Sequence, residues 1–181
     1  AQTPLGEDGK PDFECLEAVD LKLFDKQIEQ LLNGEEVILP TFNFILGVKE
    51  YKEKAKMDKN EILVIEGIHG LDSNILTNIP RENKFKIYLS ALTELNIDNH
   101  NRISTSDNRL LRRIIRDNRT RGYDVTKTLE SWAKVRSGEE KYVFPYQDDA
   151  DFTFNTGLIY EIGILKTYVE PLLYSVDDQS P

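Results

Sequence analysis

Cysteine is almost absent. Cys15 stands alone among 181 residues, which excludes an internal disulfide framework and agrees with a reducing compartment. Histidine is nearly as scarce: His69 and His100, together with one thiol, offer no ligand spacing of the structural-zinc kind. Long hydrophobic runs are missing too. No apolar stretch approaches the roughly 18 residues that a spanning helix needs. Ala1 to Lys10 is polar, interrupted by Pro4, Gly6 and Gly9, and lacks the apolar segment of a secretory signal. A soluble, cytoplasmic protein is the expectation. Positive charge is in short supply as well. A formal net charge of -9 disfavours general affinity for nucleic acid or an anionic membrane, since both need positive potential over a broad face.

What is present is a globular composition, 39% hydrophobic and 30% charged, sufficient for one well-buried core at this length. A single domain over residues 1–181 is expected, without internal repeat or linker. Asp12 to Asn33 sets Leu16, Val19, Leu23, Phe24, Ile28, Leu31 and Leu32 at mostly helical spacing, with Gly34 as a stop and Asp20 as a cap if the segment is broken. The period then changes. EVILPTFNFILGVKEY is rich in β-branched and aromatic residues and reads as two short strands or a hairpin, with Pro40 interrupting and Gly47 at the turn. The lysine-rich KEYKEKAKMDKN that follows reads as exposed edge or loop.

EILVIE (61–66) and FKIYLSA (85–91) are short, nearly continuous apolar runs. Such runs fit central strands of a parallel sheet covered on both faces, where alternation disappears because neither face meets water. The segments between and after them read as helical, with helices at Val125 to Val135 and Leu158 to Leu173 and a last strand over Asp151 to Thr156. Alternating strands and helices imply an α/β sheet. In such sheets ligands gather at the carboxyl ends of the strands. Glu66, followed by Gly67 and Gly70 in EGIHGL, is placed there, either to hold a water of a bound magnesium ion or to pair with a local arginine or cap the next helix.

Against the acidic background, six of nine arginines fall within NRLLRRIIRDNRTRG, residues 108–122. Residues 102–121 carry +5 and the remainder of the chain -14. A helix turns about 100° per residue, so Arg109, Arg112, Arg113 and Arg116 share one side, and Leu110, Leu111, Ile114 and Ile115 the other. Arg119 and Arg121 extend the cluster into a turn at Gly122. Like charges three and four residues apart repel by a few tenths of a kcal/mol per pair, so something must compensate. Two readings stand: a pocket for a compact anion, for which planar guanidinium matched to two phosphate oxygens is the suited group, or a solvated face paired with nearby carboxylates.

Several segments in order, GKPDFE, EEVILPTFNF, ILVIEGIHGL, DNRLLRRIIRDNRTRG and the region from ADFTFN onward, resemble the uridine kinase and phosphoribulokinase family of P-loop kinases. The resemblance implies a P-loop NTPase-type parallel sheet flanked by helices, here incomplete at the N-terminus and carrying a small β-hairpin insertion, with a lid at about 105–123. It also implies ATP and Mg2+ as cofactors and transfer of the γ-phosphoryl group to a hydroxyl of a nucleoside or related ribose-containing small molecule. By the same resemblance Arg113, Arg116 and Arg121 match lid arginines that contact phosphates, beside Arg109 and Arg112, and Glu66 matches the metal-side carboxylate, acting through water. Phe42 and Phe44 match aromatics that flank the nucleoside base, where stacking is worth about 1 to 3 kcal/mol; the other reading is strand aromatics packed in a core. His69 either touches substrate or is structural.

The chain departs from the family pattern in several places. No GxxxxGK[ST] occurs, the loop that wraps the β- and γ-phosphates, and Gly9-Lys10 is followed by Pro11 with no strand before it. The aspartate that serves the family as base lies upstream of the stretch matching TPLGEDGKPDFE. The family's substrate aspartate falls at Gly9, with Asp8 one residue away; Gly47, Tyr123 and Ser131 stand where a histidine, an arginine and a glutamine are expected. These departures imply the C-terminal portion of a longer kinase, inactive alone, whose acceptor need not be uridine. The implied partner is a small-molecule nucleoside or sugar, not nucleic acid or membrane, and a homo-oligomer is left open. The alternatives are a non-catalytic binding or assembly module built on this fold, and a nucleic-acid binder that uses the arginine helix.

Overall fold

The computed structural model describes residues 3–6, 9, 11–43, 48–93, 95–96 and 98–177. Asp8, Phe44 and Gly47 lie outside the described residues. The chain divides into two compact units, Ala1–Lys86 with Gly138–Ala150, and Ile87–Ser137 with Asp151–Pro181.

In the first unit, the segment expected to be helical from Asp12 is broken. A 3-10 turn at Leu16–Ala18 precedes α1, Leu21–Leu32, whose N-cap Asp20 accepts from the Leu23 N–H at 3.3 Å. Gly34, at φ 76°, adopts the left-handed conformation that ends the helix. α1 buries Ile28 and Leu31 against Val37 and Leu76, with Phe24, Leu39, Ala55, Met57, Leu63 and Ile79 packed around them. Truncating one of the buried leucines or isoleucines to alanine costs about 2 to 5 kcal/mol. Gln27, also buried, donates to the Ile38 carbonyl at 2.7 Å and ties α1 to the next strand. β1 (Val37–Asn43) and β2 (Val48–Ala55) form the expected antiparallel hairpin. Its register slips between Leu39 and Pro40, because proline has no N–H to give the ladder. The lysine-rich stretch supplies most of β2 and is largely exposed.

Two expectations fail in this unit. Residues 61–66 form no strand, and Ile62 and Val64 are 89% and 83% exposed. A parallel strand exists only through its neighbours' hydrogen bonds, and no described strand pairs with this run; only Leu63 turns into the core. Residues 67–84 are turns and a 3-10 turn at Arg81–Asn83 instead of helix. There the Asp72 carboxylate accepts from the Asn74 N–H at 2.8 Å, offering the backbone an alternative to helix. Leu76 has φ 52°, a strained value for a side chain of its size. Its N–H donates to Asp25 at 3.3 Å and its carbonyl accepts from Lys84 at 2.6 Å, so both sides of the peptide are held.

In the second unit β3 (Ile87–Ser90) and β4 (Phe152–Asn155) pair in parallel, Ile87 opposite Phe152 through Ser90 opposite Asn155. The strand type and direction match the sequence reading, but burial on both faces does not: Leu89 is 60% exposed and both Phe152 and Phe154 are 53% exposed, since the faces of a parallel pair are covered only where helices pack on them. Asn155 locks the carboxyl ends together. Its side-chain oxygen accepts from the Leu92 and Gly157 N–H groups at 3.0 and 2.8 Å, and its amide donates to the Leu92 carbonyl at 3.2 Å. α2 (Thr105–Arg116), α3 (Val125–Tyr142) and α4 (Glu161–Leu173) share a core of Ile114, Val125 and Val169, lined by Leu110, Leu111, Ile115, Leu129, Leu172 and Val176. α3, Val125–Tyr142, outruns the expected Val135. Its Gly138, in the first unit, lies so close to Glu14 that a Cβ would sit 2.9 Å from that side chain.

Candidate anion site

α2 begins at Ser104, whose hydroxyl accepts from the Asp107 N–H at 3.0 Å, satisfying one orphan donor of the first turn. Its apolar side enters the core, as the 100° periodicity requires. Helix geometry changes at the end: Asp117–Arg121 is a π turn, closed by Gly122 in the left-handed region at φ 66°. Single π turns of this kind recur at functional sites.

At the junction sits Asp117, 0% exposed. Its carboxylate is 3.2 Å from Arg113 Nε, 3.0 Å from Arg116 Nη2 and 3.3 Å from Arg121 Nη1. Three cations therefore surround one anion. An isolated carboxylate could not be buried at this depth, so the arginines are what permit it. Burial and the repulsion of Arg116 and Arg113 push the Arg121 guanidinium below its usual range, against the attraction of Asp117.

Arg112 goes elsewhere. Its Nε and Nη2 donate to the two oxygens of Glu161 in the first turn of α4, the second at 2.6 Å, and buried Asn108 donates to the same carboxylate at 3.3 Å. The hydrogen bonds from Arg112, then burial opposing them, then Asn108, leave the Glu161 carboxyl below the ordinary carboxylate range. Arg109 is half-buried on α2. Of the two sequence readings, pairing with nearby carboxylates is the one the structure displays: Arg112 is paired with Glu161 across the helix interface, and Arg113, Arg116 and Arg121 converge on Asp117.

The remaining candidates belong to the first unit. Glu66 is exposed in the irregular segment 61–66, not at the end of a buried strand. His69 is buried, with its ring edge-to-face on Tyr142, centroids 5.5 Å apart; burial pushes its pKa down, against the pull of Asp72. Phe42 is 46% exposed on β1, so it is not a core aromatic. At the position where the family arginine was expected, Tyr123 faces the Lys127 ammonium at 3.9 Å from the ring centroid. Among the described residues no group of three or more His, Cys, Asp or Glu could hold a metal ion. Magnesium is commonly held by one or two carboxylates with substrate phosphates supplying the rest, so a lone Glu66 is compatible with that mode. Among the described residues no helix is long and apolar enough to cross a membrane.

Sequence reasoning missed Asp117 and Glu161. Asp117 was findable: it stands four residues after Arg113 and four before Arg121, the spacing of facing helical neighbours. Glu161 is 49 residues from Arg112 and has no local signal.

The uridine kinase of Staphylococcus epidermidis is 26% identical over 159 residues, covering 86% of this chain and 69% of that protein. The uridine kinase of Bacillus pumilus is 24% identical over 161 residues, 87% of this chain and 69% of its own. That of Borrelia duttonii is 27% identical over 147 residues, 81% and 63%. The profile of the phosphoribulokinase / uridine kinase family matches residues 7–162. The chain, an α/β protein with a parallel strand pair and an arginine-bearing helix, belongs to the phosphoribulokinase / uridine kinase family.

Proposed function

We propose that this chain is the C-terminal portion of one P-loop kinase domain, with the hairpin β1–β2 as an insertion, that transfers the γ-phosphoryl group of ATP to a hydroxyl of a nucleoside or related ribose-containing small molecule. The observation that carries this reading is the convergence of Arg113, Arg116 and Arg121 on one buried carboxylate, in a chain of a kinase family. Phosphoryl transfer needs little covalent chemistry from the protein: it needs positioning and cationic charge where phosphoryl oxygens become more negative. α2 and its π turn serve as the lid that supplies that charge, with Arg109 and Arg112 flanking it. Glu66 would hold magnesium through a water, and the ion would supply charge neutralisation to the phosphates. By the family resemblance Phe42 and Phe44 would flank the base and Asp8 would contact the acceptor, while buried His69, packed on Tyr142, takes its structural reading. The sequence contains no GxxxxGK[ST], so the phosphate-wrapping loop and the base belong to a preceding segment of a longer parent chain, and the present chain does not turn over alone.

A non-catalytic module that kept the arginine helix is the second reading, favoured by the same missing motif. Assaying the parent chain with ATP and magnesium against a panel of nucleosides and sugar phosphates separates them. Transfer to one acceptor class is the expected result. A parent reading frame without a phosphate loop, or no transfer to any member of the panel, would overturn the kinase assignment.

A further inference from the structure

The buried Asp117 carboxylate has no assigned role, and its surroundings are unusual for a counter-ion. One negative charge faces three guanidinium groups drawn from one helix and the π turn after it. A simple surface pair would leave such arginines rotating in water, and here the shared carboxylate removes that freedom. The three guanidinium groups are close enough that Arg116 and Arg113 repel that of Arg121, against the attraction of Asp117. Arg113 adds a second observation. Its Nε is buried within ion-pair distance of Asp117 without hydrogen-bond geometry, so the contact with Asp117 is one of charge and the guanidinium is held by the carboxylate's field at a fixed place.

We propose that Asp117 is a positioning residue: it holds Arg113, Arg116 and Arg121 as a receptor assembled before any ligand arrives, shaped for the terminal phosphates of a polyphosphate. This rests on the phosphoryl-transfer reading of the same arginines. The spacing explains how one residue does it. Arg113 and Arg121 lie four residues to either side of Asp117 and Arg116 is adjacent, while the π turn, closed at Gly122, carries Arg121 to the carboxylate. Preassembly removes the ordering cost that three free side chains would incur on binding. The rival reading makes Asp117 a mere neutraliser that competes with phosphate for the arginines.

The two differ in sign. Titrating the chain calorimetrically with inorganic triphosphate, wild type against Asp117→Asn, a neutraliser predicts tighter binding, because net positive charge rises. Positioning predicts binding weaker by about tenfold or more despite that charge, as misplaced groups lose their alignment. Unchanged or tighter binding in Asp117→Asn overturns the inference while leaving the phosphate-binding reading intact; absence of saturable binding in the wild type overturns that reading itself. Because Asp117→Asn could fail to fold, a second measurement uses the native chain without ligand. The Nε–Hε resonances of Arg113, Arg116 and Arg121 should be dispersed and slow to exchange with water, in contrast to exposed Arg119. Four averaged, fast-exchanging resonances would contradict preassembly whatever the variant does.

Discussion

Arg112 and Glu161 join α2 to α4 through two hydrogen bonds from one guanidinium to both oxygens of one carboxylate. Ile114 and Val169 join the same two helices through an apolar cluster, so the most cationic helix of the chain is held to its neighbour by a polar clamp as well as by its greasy side. Arg112→Ala should therefore act on stability, removing about 1 to 3 kcal/mol, read as a lowered melting temperature. Glu161→Gln should do the same above the carboxylate range. Because the folded-state pKa of Glu161 is depressed, its contribution is fully present above the unfolded value and is lost as pH falls through the folded one. The gap in melting temperature between wild type and Glu161→Gln should thus close in acid. A gap that persists there would mean that something other than charge is lost.

His69 gives the opposite kind of group the same direction. Its imidazole is buried, and that burial pushes its folded pKa below the ordinary imidazole range, so protons bind the unfolded chain more readily. Stability from the neutral ring is present above the unfolded pKa and declines as pH falls toward the folded one. Replacing the ring with phenylalanine, which keeps the packing on Tyr142 without the charge, should flatten the dependence of melting temperature on pH between about 7 and 5. Identical slopes in wild type and His69→Phe would refute it.

The ends of α2 can be tested separately. Ser104→Ala removes the cap on the Asp107 N–H and should cost about 1 kcal/mol. Gly122→Ala forces a side chain into φ 66° and should cost about 1 kcal/mol or more. If the π turn aims Arg121, Gly122→Ala should also weaken triphosphate binding, whereas Ser104→Ala should alter stability alone.

Local pattern made α1, its Asp20 cap, the hairpin, β3, β4 and the last three helices legible, because each is written in spacing within a few residues. The run at 61–66 shows the limit. ILVI has the composition of a central strand, but strand formation depends on which backbone lies alongside, and none of the described strands does. The arginine helix was legible in the same partial way. Its two-sided character followed from the 100° turn, and Asp117 was within reach by counting four residues in each direction. The Arg112–Glu161 pair was not, since it exists only after the chain has folded α4 back against α2.

The most direct measurement is the ratio of two losses in Arg116→Ala: affinity of the chain for inorganic triphosphate, and melting temperature. Arg116 is 48% exposed at its side chain, so its net share of stability should be small, about 0 to 1 kcal/mol. The expected result is triphosphate binding weakened by about tenfold or more with a nearly unchanged melting temperature. A large fall in melting temperature with triphosphate affinity untouched would show that the arginines serve the fold and not a phosphate ligand.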